Sequence, residues 1–303
     1  MKVVCTGGSG FVGKGLIPAL LEQNHSVVLL TRHKEKTSST ENPNLRMVIW
    51  NGRDAGPWVK ELDGAGAIIN FAGEPLDRER WSNEQKVRIT QSRVNATRAV
   101  VRAIAEASKK PGVLINASGV GYYGDSGNAK VTEKSPPGIG LLAETCMAWE
   151  SEARHAANHG VRTVILRSGP ALGKDGGALP RMVVAFKLYG GGPLGSGKQW
   201  FPWVHRDDLV AVVLEALSNT SYSGPINLVA PEAVQNKQFC KMLGKVLHRP
   251  CWFPVPAFAL QAVFGEMASM ILTGQHVIPA RLEELGYKFR FPSLEPALRD
   301  VLK

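Results

Sequence analysis

The chain has 303 residues, 44% of them hydrophobic and 20% charged, a composition that suits a folded protein with a large core and excludes disorder, collagen-like repeats and mucin-like stalks. The 36 basic and 26 acidic residues give a net charge of +10 and a pI near 9.5, a balance found in proteins that bind nucleic acid, anionic lipid or phosphorylated ligands. No uncharged apolar run reaches the roughly 18 residues a membrane span needs, and the four scattered cysteines, with no CxxC pair, argue against a disulfide framework or local zinc site and for a reducing compartment.

In chain order, Val3–Thr6 reads as a strand and Phe11–Gln23 as a helix, with Val12, Leu16, Leu20 and Leu21 on its apolar face. Ser26–Thr31, Met47–Trp50 and Ala67–Phe71 are three further strands. A long helical pattern over Asn83–Lys109 leads to a fifth strand at Val113–Ala117, and a helix at Leu141–Asn158 to a sixth at Val161–Leu166. Continuous apolar strands alternating with helices predict a parallel sheet covered on both faces. Right-handed crossovers make it a doubly wound α/β sheet of the Rossmann type. Beyond Arg167 the texture changes to Gly- and Pro-rich loops with one helix-sized stretch at Arg181–Leu188. A strand–helix pair at Phe201–Leu217 and a strand at Pro225–Val229 are expected to return to the sheet. The expected organisation is therefore a Rossmann domain over 1–168, with 201–230 returning to it, and a smaller C-terminal substrate lobe from 169–200 and 231–303.

The basic residues are scattered, with neither an aromatic–basic RNA motif nor Cys/His finger spacing, so a small-molecule ligand is preferred over nucleic acid. The seven histidines lack HxxxH or HExxH spacing and predict no metal site. Neither nucleic acid nor membrane is expected as a partner. The default compartment is the cytoplasm; a basic pI also suits the mitochondrial matrix, although no Arg/Ser-rich leader is seen.

The sharpest local signal is Thr6-Gly7-Gly8-Ser9-Gly10-Phe11-Val12-Gly13. Gly7, Gly10 and Gly13 have GxxGxxG spacing between the first strand and the first helix. One glycine permits a tight turn, one lets backbone N–H groups approach a pyrophosphate, and one lets helix and strand pack closely. The helix N-terminus then offers partial positive charge to the phosphates. At the end of the second strand, about 20 residues on, an NAD site wants Asp or Glu for the ribose 2′-hydroxyl. This chain has Leu30-Thr31-Arg32-His33-Lys34 there. Arg32 can pair with a 2′-phosphate and Thr31 can add a hydroxyl donor, so the expected cofactor is NADP(H).

With these residues the chain resembles the extended, atypical short-chain dehydrogenase/reductases of the NAD-dependent epimerase/dehydratase superfamily, and within it the epimerase-like group classed as family 39U. The resemblance covers essentially the whole chain. It rests on TGGSGFVG at 6–13, NFAGEP at 70–75, RW at 80–81, NASGVGYYG at 116–124, LRSGPALGKDGGALPRM at 166–182, GGPLGSGKQWFPWVHRDDL at 191–209 and GPINLVAP at 224–231. It implies that Asn70, Ala72 and Gly73 run past the cofactor's ribose and pyrophosphate. It implies that Ser118 is the catalytic serine, and that the stretch from Arg167 through Gly169 to Leu172 lies against the nicotinamide. His205 and Asp208, in a VHVDD-like segment, either join sheet and lobe or touch substrate. Many relatives pair through a four-helix interface, so a homodimer is part of the expectation.

One departure stands out. Typical members carry Tyr-x-x-x-Lys on the helix after the serine, where tyrosinate moves the proton and lysine lowers its pKa. Aligned on Glu150, this chain has Leu142 and Cys146 at those positions. Tyr122, close after Ser118, is the candidate replacement donor, whereas Tyr123 is assigned to packing or a substrate wall. Arg93 stands where relatives carry Asn in an Asn-Val-x-Gly-Thr pattern; a contact to cofactor or anionic substrate and a helix-surface ion pair both remain open. Gly192–Lys198 satisfies seven places of a P-loop, but Gln199 takes the place of the Mg²⁺ hydroxyl, so a nucleoside triphosphate site is rejected. Two readings follow: an NADP(H)-dependent oxidoreductase or epimerase acting on a small polar substrate, or a non-catalytic NADP(H) sensor that signals to a protein partner.

Overall fold

The computed structural model describes residues 1–32 and 42–303. Seven strands form one parallel sheet: β1 (Lys2–Thr6), β2 (Ser26–Thr31), β3 (Leu45–Ile49), β4 (Ala67–Asn70), β5 (Val113–Gly119), β6 (Arg162–Ser168) and β7 (Gly224–Leu228). Their spatial order is β7-β6-β5-β4-β1-β2-β3. The chain winds one way from β1 and the other way from β4, so the two halves diverge at the β1–β4 pair. In a doubly wound sheet that switch point opens a crevice at the strands' C-terminal ends.

Alternation along each strand explains why these sequences read as unbroken apolar runs. Val3 and Cys5 of β1, Ile69 of β4 and Ile115 of β5 face one side, where Leu16 and Leu20 of α1 (Phe11–Glu22) and Val212 and Val213 of α5 (Arg206–Ser218) cover them. Val4, Ile68 and Leu114 face the other side, under Ala96, Val100 and Ile104 of α2 (Asn83–Glu106) and Ala153 of α3 (Leu141–Arg154). With a core on each face, β4 and the inner positions of β1, β2, β5 and β6 are buried on both sides, so no polar alternation survives there; the edge strand β3 stays half-open.

A further hydrophobic cluster joins Phe186 of α4 (Leu179–Lys187), Phe239 and Leu243 of α6 (Asn236–Leu247), and Leu294 and Leu298 of α8 (Leu294–Val301) around Trp203. Of the 201–230 stretch, only β7 enters the main sheet, beside β6. Trp200–Phe201 pairs antiparallel with Val234–Gln235, and Val204–His205 pairs parallel with Ala171–Leu172. These two-residue strands are too short to extend a seven-stranded sheet and serve instead as stitches to the lobe.

Asp208, on α5, makes a polar connection to the C-terminal lobe. Its carboxylate is buried and accepts from the Tyr287 hydroxyl at 3.0 Å and from the backbone N–H groups of Arg290 at 2.7 Å and Phe291 at 3.0 Å. His205 stacks on Phe291 with ring centroids 3.8 Å apart, and its Nδ1 accepts from the Asp207 amide. Both residues of the VHVDD-like segment are thus occupied in holding the C-terminal segment to α5. Among the described residues no helix is long and apolar enough to cross a membrane.

Candidate functional site

The loop from β1 to α1 is shaped by glycines that do different work. Gly7 has φ +68°, and a Cβ there would lie 2.3 Å from the Phe71 carbonyl, so β1 and β4 can leave the sheet side by side only with glycine present. A Cβ on Gly13 would meet the Gly8 carbonyl at 2.1 Å. Gly10 is different. Its φ of −80° suits any residue, and only the Gly7 carbonyl, 3.2 Å away, comes within 4 Å of a Cβ built on it. Backbone strain does not account for this glycine, and packing touches it only at that one tight carbonyl contact; the rest of the space above it is an open cradle that a side chain would fill.

Ser9 and Gly10 are exposed, and α1, twelve residues long, starts with no side-chain cap and no acid in its first turn. The first amides of such a helix lack intrahelical partners and carry partial positive charge. Phe11 turns away from the cradle, its ring lying against Gly173 and Gly176, and Val12 packs toward the sheet core.

Beside this loop, β2 ends at Thr31, which is buried and whose carbonyl accepts from Trp50 N–H at 2.9 Å. Arg32 follows and is exposed; among the described residues no carboxylate pairs with it. His33 and Lys34 lie outside the described residues.

Asn70 closes β4 and is fully buried. Its oxygen accepts from Thr6 Oγ1 at 2.6 Å, and its Nδ2 donates to Thr97 Oγ1 at 2.9 Å and Asn116 Oδ1 at 2.7 Å. Trp149 Nε1 donates to the same Thr97 hydroxyl at 2.8 Å. Asn70 thereby ties β1, β4, β5, α2 and α3 together directly under the crevice. Thr6 Oγ1 also accepts from the Ala72 amide at 3.1 Å, which fixes the strand exit that carries Gly73. Gly73 is exposed, and a Cβ on it would come within 3.2 Å of the Arg93 guanidinium carbon. Arg93 is half-buried, lies over the Trp149 ring at 5.3 Å and donates to the Ile89 carbonyl at 2.9 Å. Burial lowers its pKa, opposed by Cys146 and Glu74; Glu74 itself is paired with Arg78 at 3.1 Å.

At the end of β5, Ser118 is 5% exposed and its hydroxyl donates to Glu150 Oε1 at 2.8 Å. Glu150 is fully buried and is gripped by Arg167, whose Nε and Nη2 donate to its two oxygens at 2.8 and 2.9 Å. Arg167 Nη1 donates to the Tyr123 hydroxyl at 3.0 Å, and Tyr123 donates to Asn227 Oδ1 at 2.5 Å. Burial, partly offset by Arg167, pushes the Tyr123 phenol up to about 12, so Tyr123 is no base near neutral pH. Tyr122 is half-exposed, with the Arg167 guanidinium 3.5 Å above its ring. Gly169 is buried, and a Cβ on it would overlap the Pro202 carbonyl.

The two positions of the missing pair do adjoin Ser118's strand. Leu142 packs on Gly121, where an added Cβ would lie 2.9 Å from the leucine's own, and Cys146 Sγ lies 3.6 Å from the Gly119 carbonyl. Burial raises the Cys146 thiol, keeping it neutral. Leu142 joins Leu76, Leu141 and Phe264 around Trp81 and Met267. An apolar cluster thus stands where the proton donor would be.

The structure brings the glycine loop, Thr31, Arg32, Ala72, Gly73 and Ser118 to one edge of the sheet. Arg167 and Gly169 lie within the packing behind it. In sequence Glu150 serves only to align the helix, and its bond to Ser118 is not evident from that alignment. The signal was present: Ala143, Cys146, Glu150 and Ala153 form one buried stripe of α3, so a carboxylate there required an internal partner. Arg167, ending the apolar run of β6, is that partner.

Comparison with known proteins agrees with this fold. A family model described as "NAD dependent epimerase/dehydratase family" matches residues 3–228, and one described as "Domain of unknown function (DUF1731)" matches 255–301. The chain is 43% identical to the chloroplastic SDR39U1 homolog, an epimerase family protein of Arabidopsis thaliana, over 100% of this chain and 87% of the relative. It is 39% identical to the epimerase family protein YfhF of Bacillus subtilis over 100% of this chain and 98% of that one. The crystal structure of the human epimerase family protein SDR39U1 (isoform 2) with NADPH superimposes with a TM-score of 0.88 at 34% identity, covering 99% of both chains.

Proposed function

The chain belongs to the NAD dependent epimerase/dehydratase family, and from that premise we propose that it binds NADP(H) at the β1–β4 switch point and uses it as an atypical oxidoreductase or epimerase on a small polar substrate. The observation that carries the reading is Gly10, an unstrained glycine with a single close neighbour, the Gly7 carbonyl, over the open first turn of α1. The backbone amides of Phe11 and Val12, at the uncapped start of α1, hold the pyrophosphate, and Arg32 holds the 2′-phosphate. The bound cofactor supplies or takes up a hydride. Arg93 places a positive charge beside Gly73 and Cys146, near the position where relatives have lysine. The substrate lies between the sheet edge and the C-terminal lobe, and its proton comes from Tyr122 or water.

Arg32→Ala should weaken NADPH by roughly 10- to 150-fold, the worth of a charge-assisted hydrogen bond of about 1.5–3 kcal/mol, while NADH affinity stays within about twofold. Fluorescence titration with both nucleotides decides this, and equal losses would remove the 2′-phosphate assignment.

A second reading, a non-catalytic NADP(H) sensor, is favoured by the apolar cluster around Leu142 and by the donation of the Ser118 hydroxyl to Glu150. The two readings separate when NADPH deuterated at the nicotinamide C4 is incubated with the protein and a metabolite extract. Deuterium found in one metabolite by mass spectrometry establishes reduction. Label retained on tightly bound NADPH favours the sensor, once solvent exchange has been checked for an epimerase that returns its hydride.

A further inference from the structure

Residues 176–206 and 233–265 contain no aspartate or glutamate but eight lysines and arginines. Three of these are neutralised by acids from elsewhere: Arg181 by Asp77, Arg206 by Asp175 and Lys245 by Glu295. The other five include Lys187, Lys241 and Arg249, none of which has a carboxylate in ion-pair range among the described residues.

The two acid-free stretches fold against each other. Val255 N–H donates to the Pro193 carbonyl at 2.7 Å, Gly195 N–H donates to the Val255 carbonyl at 2.9 Å, and Gly192 abuts the Phe253 carbonyl. The Arg249 guanidinium lies 5.0 Å over the Tyr189 ring, and Lys241 acts electrostatically on Cys251. The end of α4 and residues 249–255 therefore form one continuous surface carrying unpaired cations.

On that surface Leu188, Tyr189, Trp252 and Phe253 are 76, 61, 69 and 81% exposed. The chain then enters α7 (Ala257–Phe264), whose sequence AFALQAVF has one polar residue, yet only Leu260 is buried and Phe258 is 74% exposed. A helix that is apolar all round belongs in apolar surroundings, and a contiguous exposed apolar patch marks an interaction site.

Three features select the occupant. The side chains protrude, each spending most of its surface on solvent, so they form no groove able to grip a folded partner's helix. A second copy docking face to face would set unpaired cations against unpaired cations. Aromatic rings fringed by lysine and arginine suit the boundary between lipid headgroups and acyl chains, where the ring enters and the cation meets phosphate. We propose that this face docks the protein peripherally on an anionic lipid bilayer. The contact is with the surface and spans nothing, and it stands independently of the cofactor reading.

The test is flotation of the full chain with vesicles of phosphatidylcholine alone or containing about 30% phosphatidylglycerol. Binding to the anionic vesicles should exceed binding to neutral ones by about tenfold or more and should weaken with added salt. The double variants Trp252→Ser/Phe253→Ser and Lys187→Glu/Lys241→Glu should each lose about tenfold or more. These side chains lie outside the core, so both variants should keep the wild-type thermal midpoint. Absence of binding to the anionic vesicles overturns the proposal, and so does undiminished binding by the folded variants. A wild-type dimer that Trp252→Ser/Phe253→Ser makes monomeric assigns the face to a second copy and overturns it as well. Binding of oligouridylate lost in the same variant, with no vesicle binding, gives the face to single-stranded nucleic acid and does the same.

Discussion

Arg167→Leu should cost about 3 kcal/mol or more of folding stability, because it strands a buried carboxylate. Glu150 is fully buried and Arg167 is 2% exposed, so solvent screens little of their interaction. Both guanidinium–carboxylate bonds, at 2.8 and 2.9 Å, disappear together with the bond to Tyr123. Arg154, at 2.8 Å, and the Ser118 hydroxyl remain on Glu150, which places the loss toward the low end of the 3–5 kcal/mol expected when one partner of a buried pair is removed. Adding Glu150→Leu should recover part of the loss, since two apolar residues leave no unpaired charge. Urea unfolding of the single and double variants measures both quantities. A cost under about 1 kcal/mol, or a double variant less stable than the single, would mean that the pair does not control this region.

The same pair bears on what the site can do. A serine whose proton points to Glu150 has lone pairs left for accepting, not a proton for polarising a carbonyl oxygen. Productive donation by Ser118 requires the bond to Glu150 to break or Glu150 to carry a proton. This burden, added to Leu142 and Cys146, sets the chain apart from relatives that use tyrosine and lysine.

The parallel sheet was legible because both of its faces are covered, leaving unbroken apolar strands, and because glycines with the right spacing join β1 to α1. The family resemblance is borne out by matches over the full chain. What the sequence did not disclose is mostly polar and buried. The resemblance places Asn70 beside the cofactor, yet its place under the crevice depends on Thr6, Thr97 and Asn116, which lie 64, 27 and 46 residues away. Such a network has no period and no local motif, only satisfied geometry. The stitches at Trp200–Phe201 and Val204–His205 were hidden for another reason. Two-residue strands have no alternation to read, so their pairing becomes visible only once the lobe is folded.

Gly10→Val should reduce NADPH and NADH affinity alike, by at least about 100-fold, or roughly 2.7 kcal/mol, with a much smaller drop in thermal midpoint than Gly13→Ala. The backbone permits the substitution, with a slight shift of the Gly7 carbonyl: Gly10 has φ −80° and ψ −177°, an extended conformation that β-branched residues adopt readily. The site is exposed, and a Cβ meets only the Gly7 carbonyl, at 3.2 Å. The isopropyl group instead occupies the space above the open amides of α1, where a pyrophosphate would sit. Gly13→Ala provides the contrast. Its Cβ would stand 2.1 Å from the Gly8 carbonyl, so one methyl group should lower stability before any ligand is added. Calorimetry with both nucleotides, alongside thermal unfolding of both variants, separates a glycine kept for a ligand from one kept for the fold. A folded Gly10→Val that binds NADPH as the wild type does would leave the open cradle without an occupant, and the NADP(H) reading would fall with it.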